Sequence, residues 1–185
     1  MVETPPYRYC PMCGLSLTTK CLPGDVKLRQ VCEHCGFVRY VNPLPVVGTI
    51  PVFEGKVLLC RRAIEPRKGY WTLPAGFMEG YETLKEGAAR ETLEETGSRV
   101  AIDRLFSIID VPEANQMHFF FLAQLTALPS EPGIETLEQR LFNLDEIPWD
   151  ELSFTTVKKT LECFIEDVKG EVVQLHTFRL SLNVV

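Results

Sequence analysis

Three glutamates on one predicted helix are the residues whose types and spacing point most directly to chemistry. Glu91, Glu94 and Glu95 recur at helical spacing, so their side chains share one stripe of the helix surface, here called the acidic stripe. Like charges at this spacing repel weakly, and a solvated surface helix tolerates them, which is the simpler interpretation. The stripe begins beside a glycine-rich turn, and this favours a second interpretation: the three carboxylates form a site for a hard divalent cation such as magnesium.

The flanking residues predict where this helix begins and ends. Thr83 and Glu86 have the spacing of a capping box, and Gly97 is the kind of residue that ends a helix in the left-handed conformation. Arg90 has an acid four residues away on either side, so it can orient carboxylates. Residues 73–76 precede the helix and predict a tight loop whose backbone carbonyls can point at a metal.

Four of the seven cysteines are paired by their spacing. Cys10 and Cys13 form one pair, Cys32 and Cys35 form the other, 18 residues separate the pairs, and a glycine follows each. This pattern predicts a zinc ribbon with a closed four-thiolate site, in which zinc is structural rather than catalytic. Disulfides are the alternative; the start of the chain lacks the pattern of a secretory signal, which disfavours them. So short a stretch buries little apolar surface and needs the metal to fold.

Composition limits the classes of partner. The chain has 185 residues and a net charge of −6, from 19 basic and 25 acidic residues, so bulk electrostatics do not attract it to nucleic acid or to an anionic membrane. An acidic enzyme acting on an anionic small molecule needs cations to bridge the two. No apolar run approaches the roughly 18 residues of a membrane-spanning helix. We therefore expect a cytoplasmic protein with no nucleic-acid partner and no membrane partner.

The remaining pattern predicts an α/β fold with a mixed sheet, residues 44–185, after a ribbon domain, residues 1–43. A proline-containing linker, residues 39–45, joins them. Residues 171–182 alternate like an edge strand that must pair with its own sheet or with a second subunit, which leaves a homodimer open. Strands are predicted at residues 46–53, 56–62, 71–73, 99–109, 117–126 and 137–143, and a capped amphipathic helix at residues 153–168 with Phe154, Val157, Leu161, Phe164 and Ile165 inward.

The acidic stripe and its surroundings resemble the signature of the Nudix hydrolases over residues 76–97. Thr92 and Ser98 stand where aliphatic residues are usual, which bears on packing rather than on ligands. The resemblance implies an α/β/α sandwich with a mixed sheet between helical layers. The fixed positions that match are Gly76, Glu82, Arg90, Glu91, Glu94, Glu95 and Gly97.

What the resemblance implies for the site is a metal-dependent hydrolysis of a nucleoside diphosphate linked to another group. Glu91, Glu94 and Glu95 would be side-chain ligands of Mg²⁺ or Mn²⁺, and the carbonyl of Ala75 would be a backbone ligand. Arg90 would position Glu91.

Two further roles follow from the same resemblance. Glu82 would brace the loop before the helix. The identity of the general base stays open: it is either a glutamate of the stripe or an acid on a later loop, Glu135 or Glu138. Of these two, Glu138 matches the position from which many Nudix proteins send an extra acid toward the metals.

Stretches outside the signature resemble the plant chloroplast Nudix hydrolases that act on FAD and ADP-ribose. The resemblance implies release of AMP with FMN or ribose 5-phosphate. Two alternatives stay open: an NADH or NAD pyrophosphatase, although the segment typical of that group is absent after the stripe, and a non-catalytic protein that senses a nucleotide. The shared stretches are residues 31–36, 55–61, 71–76, 135–142 and 144–148, and the candidates for stacking on adenine are Arg61, Arg67, Tyr70, Trp71 and Phe119.

Overall fold

The fold is taken from a computed structural model that describes residues 7–129, 131–172 and 174–181. The chain divides into two compact units, Met1–Pro43 and Leu44–Val185. Within the described residues, no helix is both long enough and apolar enough to cross a membrane.

The first unit is a small antiparallel sheet. Its strands are β1 (Thr18–Cys21), β2 (Leu28–Val31) and β3 (Val38–Arg39), paired in the order β1-β2-β3. Among residues 7–43, only Cys10, Val31 and Cys32 are buried. So small an apolar core leaves the cysteines to hold the unit together.

The second unit is built on a mixed sheet, as predicted. Along the main path the strand order is β10-β5-β4-β9-β8-β11; β6 pairs with β5, and β7 pairs with β4. Strand β4 runs parallel to β9 and β11 runs parallel to β8, whereas the other pairs are antiparallel. The strands are β4 (Leu44–Phe53), β5 (Lys56–Arg62), β6 (Trp71–Thr72), β7 (Ala75–Phe77), β8 (Val100–Val111), β9 (Gln116–Leu125), β10 (Thr136–Phe142) and β11 (His176–Arg179).

Two α-helices cover opposite faces of this sheet. Helix α1 (Leu84–Thr96) packs Ala88 against a cluster that contains Phe121 of β9. Helix α2 (Thr155–Gly170) packs Leu161 in a larger cluster that contains Phe120 of the same strand. Because successive side chains of a strand point to opposite faces, the two helices lie on either side of the sheet. This is the expected α/β/α arrangement.

Most predicted elements are confirmed, and two details differ. Strand β5 has the predicted bounds, β9 lies inside the sheet, and β11 pairs with its own sheet rather than needing a second subunit. The predicted tight loop at residues 73–76 is wrong at its end, because Ala75–Phe77 is a short strand paired with β4. Helix α2 begins after Phe154, which contributes no capping side chain, so the predicted cap is also wrong. Val173 and Leu182, part of the predicted edge strand, lie outside the described residues.

Candidate active site and cysteine cluster

Helix α1 has the boundaries that its sequence predicts. The hydroxyl of Thr83 accepts a hydrogen bond from the N–H of Glu86 at 3.3 Å, and the Glu86 carboxylate accepts one from the N–H of Thr83 at 2.8 Å. At the other end Gly97 has φ 63°, and its N–H bonds to the carbonyl of Leu93. The Glu86 carboxylate is engaged in the capping box, and Arg90 bonds to other acids instead.

Arg90 ties the acidic stripe to the loop before the helix. It donates two hydrogen bonds to the Glu82 carboxylate, at 2.9 and 2.8 Å, one to Glu91 at 2.7 Å and one to Glu94 at 3.1 Å. A further bond reaches the carbonyl of Phe77 at 3.1 Å. Glu82 in turn accepts a bond from a loop N–H, that of residue 79, at 2.7 Å. The guanidinium of Arg90 lowers the pKa of Glu82 to about 2, so Glu82 is a permanently charged brace.

Glu91 lies directly against the backbone of Gly76. A Cβ built on Gly76 would overlap the carboxyl group of Glu91, so no other residue fits there without moving that group. The Glu91 side chain is 12% exposed, and burial raises its pKa in spite of the bond from Arg90. The position of this carboxylate is therefore set from two sides, by a glycine and by an arginine.

Glu95 is the acid of the stripe with the most strongly shifted pKa. Burial, followed by the charge of Glu91, raises the pKa of Glu95 to about 8, while the backbone N–H of Ala75 donates to it and opposes the shift. The buried thiol of Cys60 lies 3.6 Å from its Oε2. Two partly desolvated carboxylates side by side are costly unless a proton or a cation joins them.

Glu94 completes the stripe at its open side. Its side chain is 59% exposed, against 12% for Glu91. Two shielded acids and one exposed acid form a set of hard oxygen donors that could hold Mg²⁺ or Mn²⁺ and leave room for a ligand. The fixed position of Glu91 against the backbone of Gly76 and the raised pKa of Glu95 both fit such a cation.

The later loop that carries the predicted candidate Glu135 docks on helix α1, a contact that the sequence did not predict, and brings a fourth acid near the stripe. The N–H of Gly133 bonds to the carbonyl of Glu95 at 3.0 Å, and a Cβ on Gly133 would overlap the carbonyl of Glu94. The loop carries Glu135, whose charge contributes to the raised pKa of Glu91.

Glu138 lies on β10 and has a different partner. Its Oε2 is 3.4 Å from Nη1 of Arg61, and both side chains are largely exposed. Glu138 is thus paired with a cation of the neighbouring strand, whereas Glu135 acts electrostatically on the stripe.

The two departures from the signature have structural explanations. Thr92 is fully buried, and its hydroxyl is 2.7 Å from both the hydroxyl of Thr49 on β4 and the carbonyl of Ala88. The hydroxyl therefore replaces an apolar contact by a satisfied bridge between α1 and the sheet. Ser98 bonds through its hydroxyl to the carbonyl of Thr96 at 3.1 Å and stays buried at the helix end.

The aromatic and cationic candidates for base stacking separate by burial. Trp71 is 6% exposed and packs edge-on against Phe142, so it belongs to the core. Phe119 is partly buried beside α1. Tyr70 and Arg67 lie on the surface and line a groove, with the guanidinium 5.4 Å from the ring centre.

The four cysteines of the first unit converge as predicted. Their sulfur atoms all lie within 4.8 Å of one another, and Cys10–Cys35 and Cys13–Cys32 are 3.6 and 3.5 Å apart. Two equivalent turns present them, closed by a bond of 2.9 Å from the glycine after each pair to the carbonyl of the first cysteine.

The chemistry of the cluster suits a thiophilic cation. All seven cysteines are free of disulfides, so the four clustered sulfurs are available as metal ligands. The N–H of Cys35 donates to the sulfur of Cys32 and lowers the pKa of Cys32 to about 6, whereas burial and the neighbouring sulfurs raise the pKa of Cys13 and of Cys35. The metal-free cluster therefore shares protons that a bound cation would displace. Four thiolate donors in two tight turns could hold zinc.

Comparison with known proteins places both units. Residues 42–166 match the family described as the NUDIX domain, and residues 8–41 match the family described as Nudix N-terminal, a zinc ribbon. The crystal structure of a NUDIX hydrolase from Nitrosomonas europaea is 42% identical, with a TM-score of 0.92 over 95% of this chain and 99% of that one.

Curated relatives are more distant. The NAD-capped RNA hydrolase NudC of Vibrio parahaemolyticus is 28% identical over 89% of this chain, which spans 62% of the relative's length. An ADP-ribose pyrophosphatase of Methanocaldococcus jannaschii is 29% identical over 59% of this chain and 67% of the relative. The match to the NUDIX domain covers more than half of the sequence and includes the whole acidic stripe with its glycine cradle, and the protein belongs to the Nudix hydrolase family.

Proposed function

We propose that this protein is a divalent-metal-dependent pyrophosphatase that hydrolyses the diphosphate of an ADP-linked nucleotide, such as FAD or ADP-ribose, to AMP and a phosphorylated second product. The observation that carries the proposal is the arrangement of the acidic stripe: Glu91 wedged between Gly76 and Arg90, Glu95 partly buried beside it, and Glu94 open to solvent. Such an arrangement has little use in a surface helix that is merely solvated.

The three acids of the stripe share one role in this proposal, and Arg90 has another. Glu91, Glu94 and Glu95 hold Mg²⁺ or Mn²⁺, and the carbonyl of Ala75 is the backbone ligand. When bound, the ions neutralise the charge of the two phosphates and supply an activated water. Arg90 positions Glu91 by the bond at 2.7 Å.

The other catalytic assignments concern the loops around the stripe. Glu82 holds Arg90 and the preceding loop in place through its pair of hydrogen bonds. Glu135 and Glu138 are both candidates for the general base. We favour Glu135, because its charge acts on Glu91 and its loop is bonded to Glu95, whereas Glu138 is engaged by Arg61.

The ribbon has a structural role in the proposal. Residues 1–43 form a zinc ribbon held by Cys10, Cys13, Cys32 and Cys35, and residues 44–185 form the catalytic domain. Four thiolates leave zinc no open position for substrate, so the ribbon zinc does not take part in hydrolysis.

A substrate panel tests the proposal. FAD, ADP-ribose, NADH and diadenosine polyphosphates are incubated with Mg²⁺ and with Mn²⁺, and products are identified by chromatography. We expect AMP with FMN or with ribose 5-phosphate, and no turnover without added metal. The Glu95→Gln variant, purified identically, excludes a contaminating hydrolase. Failure to cleave any member of the panel with either metal would contradict the proposal and favour the nucleotide-sensing alternative.

A second candidate is an NAD-linked substrate, including NAD-capped RNA. The likeness to NudC over 89% of the chain favours it. Net charge does not, since an excess of six acidic residues repels an RNA body. Adding NAD-capped RNA to the same panel decides between them: faster cleavage of the capped RNA than of FAD and ADP-ribose would support this second candidate.

A further inference from the structure

Arg62 is a cation beside the acidic stripe that has no role in the site described above. It is the last residue of strand β5 and follows Cys60 by two positions. Residues two apart in a strand point to the same face of the sheet and lie about 7 Å from each other. The thiol of Cys60 lies 3.6 Å from Oε2 of Glu95. The side chain of Arg62 therefore leaves the sheet on the face that carries the acidic stripe.

The charge of Arg62 reaches the acidic stripe without being neutralised by it. Burial raises the pKa of Glu95 to about 8, and the positive charge of Arg62 is among the effects that oppose this rise. Arg62 nevertheless forms no ion pair with a carboxylate of any residue that the structure describes. The site therefore contains one cation that stands near the metal-binding acids and remains available to an anion.

The guanidinium of Arg62 is anchored on its inner side and free on its outer side. Its Nε donates to the carbonyl of Pro66 at 2.8 Å, and its Cζ lies 5.1 Å from the centre of the Phe154 ring. Within the described part of the chain, neither Nη1 nor Nη2 has a hydrogen-bond acceptor. A planar guanidinium that is already held in place loses little freedom when its remaining N–H groups bind a ligand. These N–H groups form a fork that matches two oxygens of a phosphate.

The preceding residue, Arg61, shows the contrast with an arginine that has a structural role. As the neighbour of Arg62 in the strand, it points to the opposite face of the sheet. Its Nε donates to the carbonyl of Gly69 at 2.8 Å, and its Nη1 lies 3.4 Å from Oε2 of Glu138. Arg61 thus uses both its charge and its outer N–H groups within the protein, whereas Arg62 keeps both for a ligand.

We propose that the two Nη groups of Arg62 bind non-bridging oxygens of the substrate diphosphate, while the cations held by the acidic stripe bind others. The inference rests on the proposed function in one respect, namely that the ligand of the stripe is a diphosphate. Contacts from the guanidinium and from the cations neutralise the diphosphate from two sides. A protein with a net charge of −6 repels such a ligand elsewhere on its surface, so a positioned cation at the site matters for recognition.

Binding of an uncleavable diphosphate tests the contact without any hydrolysis. The full-length protein is titrated in a calorimeter with α,β-methylene ADP at saturating Mn²⁺. We expect Arg62→Gln to bind the analogue about tenfold more weakly or worse than the parent protein, because charge-assisted hydrogen bonds to the phosphates are lost. Arg62→Lys keeps the charge but not the fork, so its affinity should be intermediate. Melting temperatures of both variants show whether they fold, and Arg62→Lys carries the test if Arg62→Gln does not.

Arg61→Gln is the matched control, and Mn²⁺ affinity is the second readout. Arg61→Gln removes the same charge from the adjacent position and should change the affinity for the analogue by less than about twofold. Mn²⁺ binding without nucleotide should be no weaker in Arg62→Gln than in the parent protein, because the variant lacks a charge that repels the cation. A general disturbance of the site would weaken both ligands. The inference is overturned if the parent does not bind the analogue, if Arg62→Gln binds it as the parent does, or if Mn²⁺ affinity falls in parallel.

Failure of this inference and failure of the proposed function give different results. If the protein hydrolyses FAD or ADP-ribose and Arg62→Gln retains the kcat/KM of the parent, the proposed function stands and the contact from Arg62 is refuted. If the parent binds the analogue about tenfold or more tightly than Arg62→Gln but hydrolyses no nucleotide, the contact stands and the proposed function is refuted.

Discussion

The carboxyl group of Glu91 occupies the space where any side chain on Gly76 would begin. This contact couples the loop before helix α1 to the acidic stripe by steric exclusion, which does not depend on salt. It also gives a physical reason for a glycine at this position, where its backbone has no unusual φ.

Replacing this glycine should disable the site and spare the fold. In Gly76→Ala the methyl group displaces Glu91 by about 1 Å, and a displacement of that size can lower kcat/KM about 100-fold. The measurement is kcat/KM for the best substrate together with the melting temperature. Gly80→Ala is the matched control, because a Cβ there would meet no atom within 4 Å. Equal activity of the two variants would contradict the role of the contact.

Metal binding should strengthen as pH rises. The pKa of Glu95 is raised to about 8 in the metal-free protein, mainly by burial, so below that pH a cation must displace a proton. Apparent Mn²⁺ affinity should therefore fall about tenfold per pH unit below pH 8, as for any single displaced proton. Calorimetric titrations at several pH values measure it. In Glu95→Gln, which has no proton to displace, this part of the pH dependence should vanish.

The same shift predicts how the metal-free protein responds to pH. A carboxyl group whose pKa is higher in the folded state than in the unfolded state binds more protons when folded, so stability falls as pH rises from about 4.5 to about 8. Saturating Mn²⁺ should remove this decline. Melting temperatures measured across this range, with and without Mn²⁺, test the sign; a metal-free protein that gains stability over the same range through Glu95 would refute it.

Two neighbouring acids should differ in importance. Glu135→Gln should lower kcat by a factor of about 10² or more if Glu135 is the general base, whereas Glu138→Gln should cost mainly its exposed pairing with Arg61. Both variants remove one charge from the same segment, so each controls for the other. A larger loss of kcat in Glu138→Gln would reverse the assignment.

Zinc binding and stability of the ribbon should depend on the four clustered cysteines and not on Cys21. Cys10→Ser should reduce zinc from about one ion per chain and lower the melting temperature, because a ribbon of this size has little other core. Cys21→Ser is the control, since Cys21 is exposed and lies outside the cluster. Zinc content is measured by atomic absorption. A Cys10→Ser protein with full zinc content and unchanged melting would contradict the four-thiolate site.

The sequence was most informative where local rules decide the structure. Helix α1 begins with its capping box and ends at Gly97, because capping depends on residues within one turn. Strand β5 follows from its short apolar run and from the hairpin turn predicted at residues 54 and 55. The convergence of four cysteines follows from their spacing alone.

Long-range packing decided what the sequence did not reveal. Strand β7 has only three residues, and its strand conformation comes from pairing with β4 rather than from any periodicity of its own. The docking of Gly133 onto helix α1 joins segments far apart in the chain. Arg90 bonds to Glu82 rather than to Glu86, because the Glu86 carboxylate already accepts the N–H of Thr83 in the capping box. The spacing of the residues alone does not predict which of the two acids Arg90 binds.

The central claim is that Glu91, Glu94 and Glu95 gather divalent cations at the site of hydrolysis. Anomalous diffraction from crystals soaked in Mn²⁺ tests it most directly. We expect manganese peaks beside these three carboxylates and near the carbonyl of Ala75, and we expect the peaks to weaken in Glu95→Gln. Manganese bound elsewhere, with no peak at the three carboxylates in an active crystal form, would contradict the account.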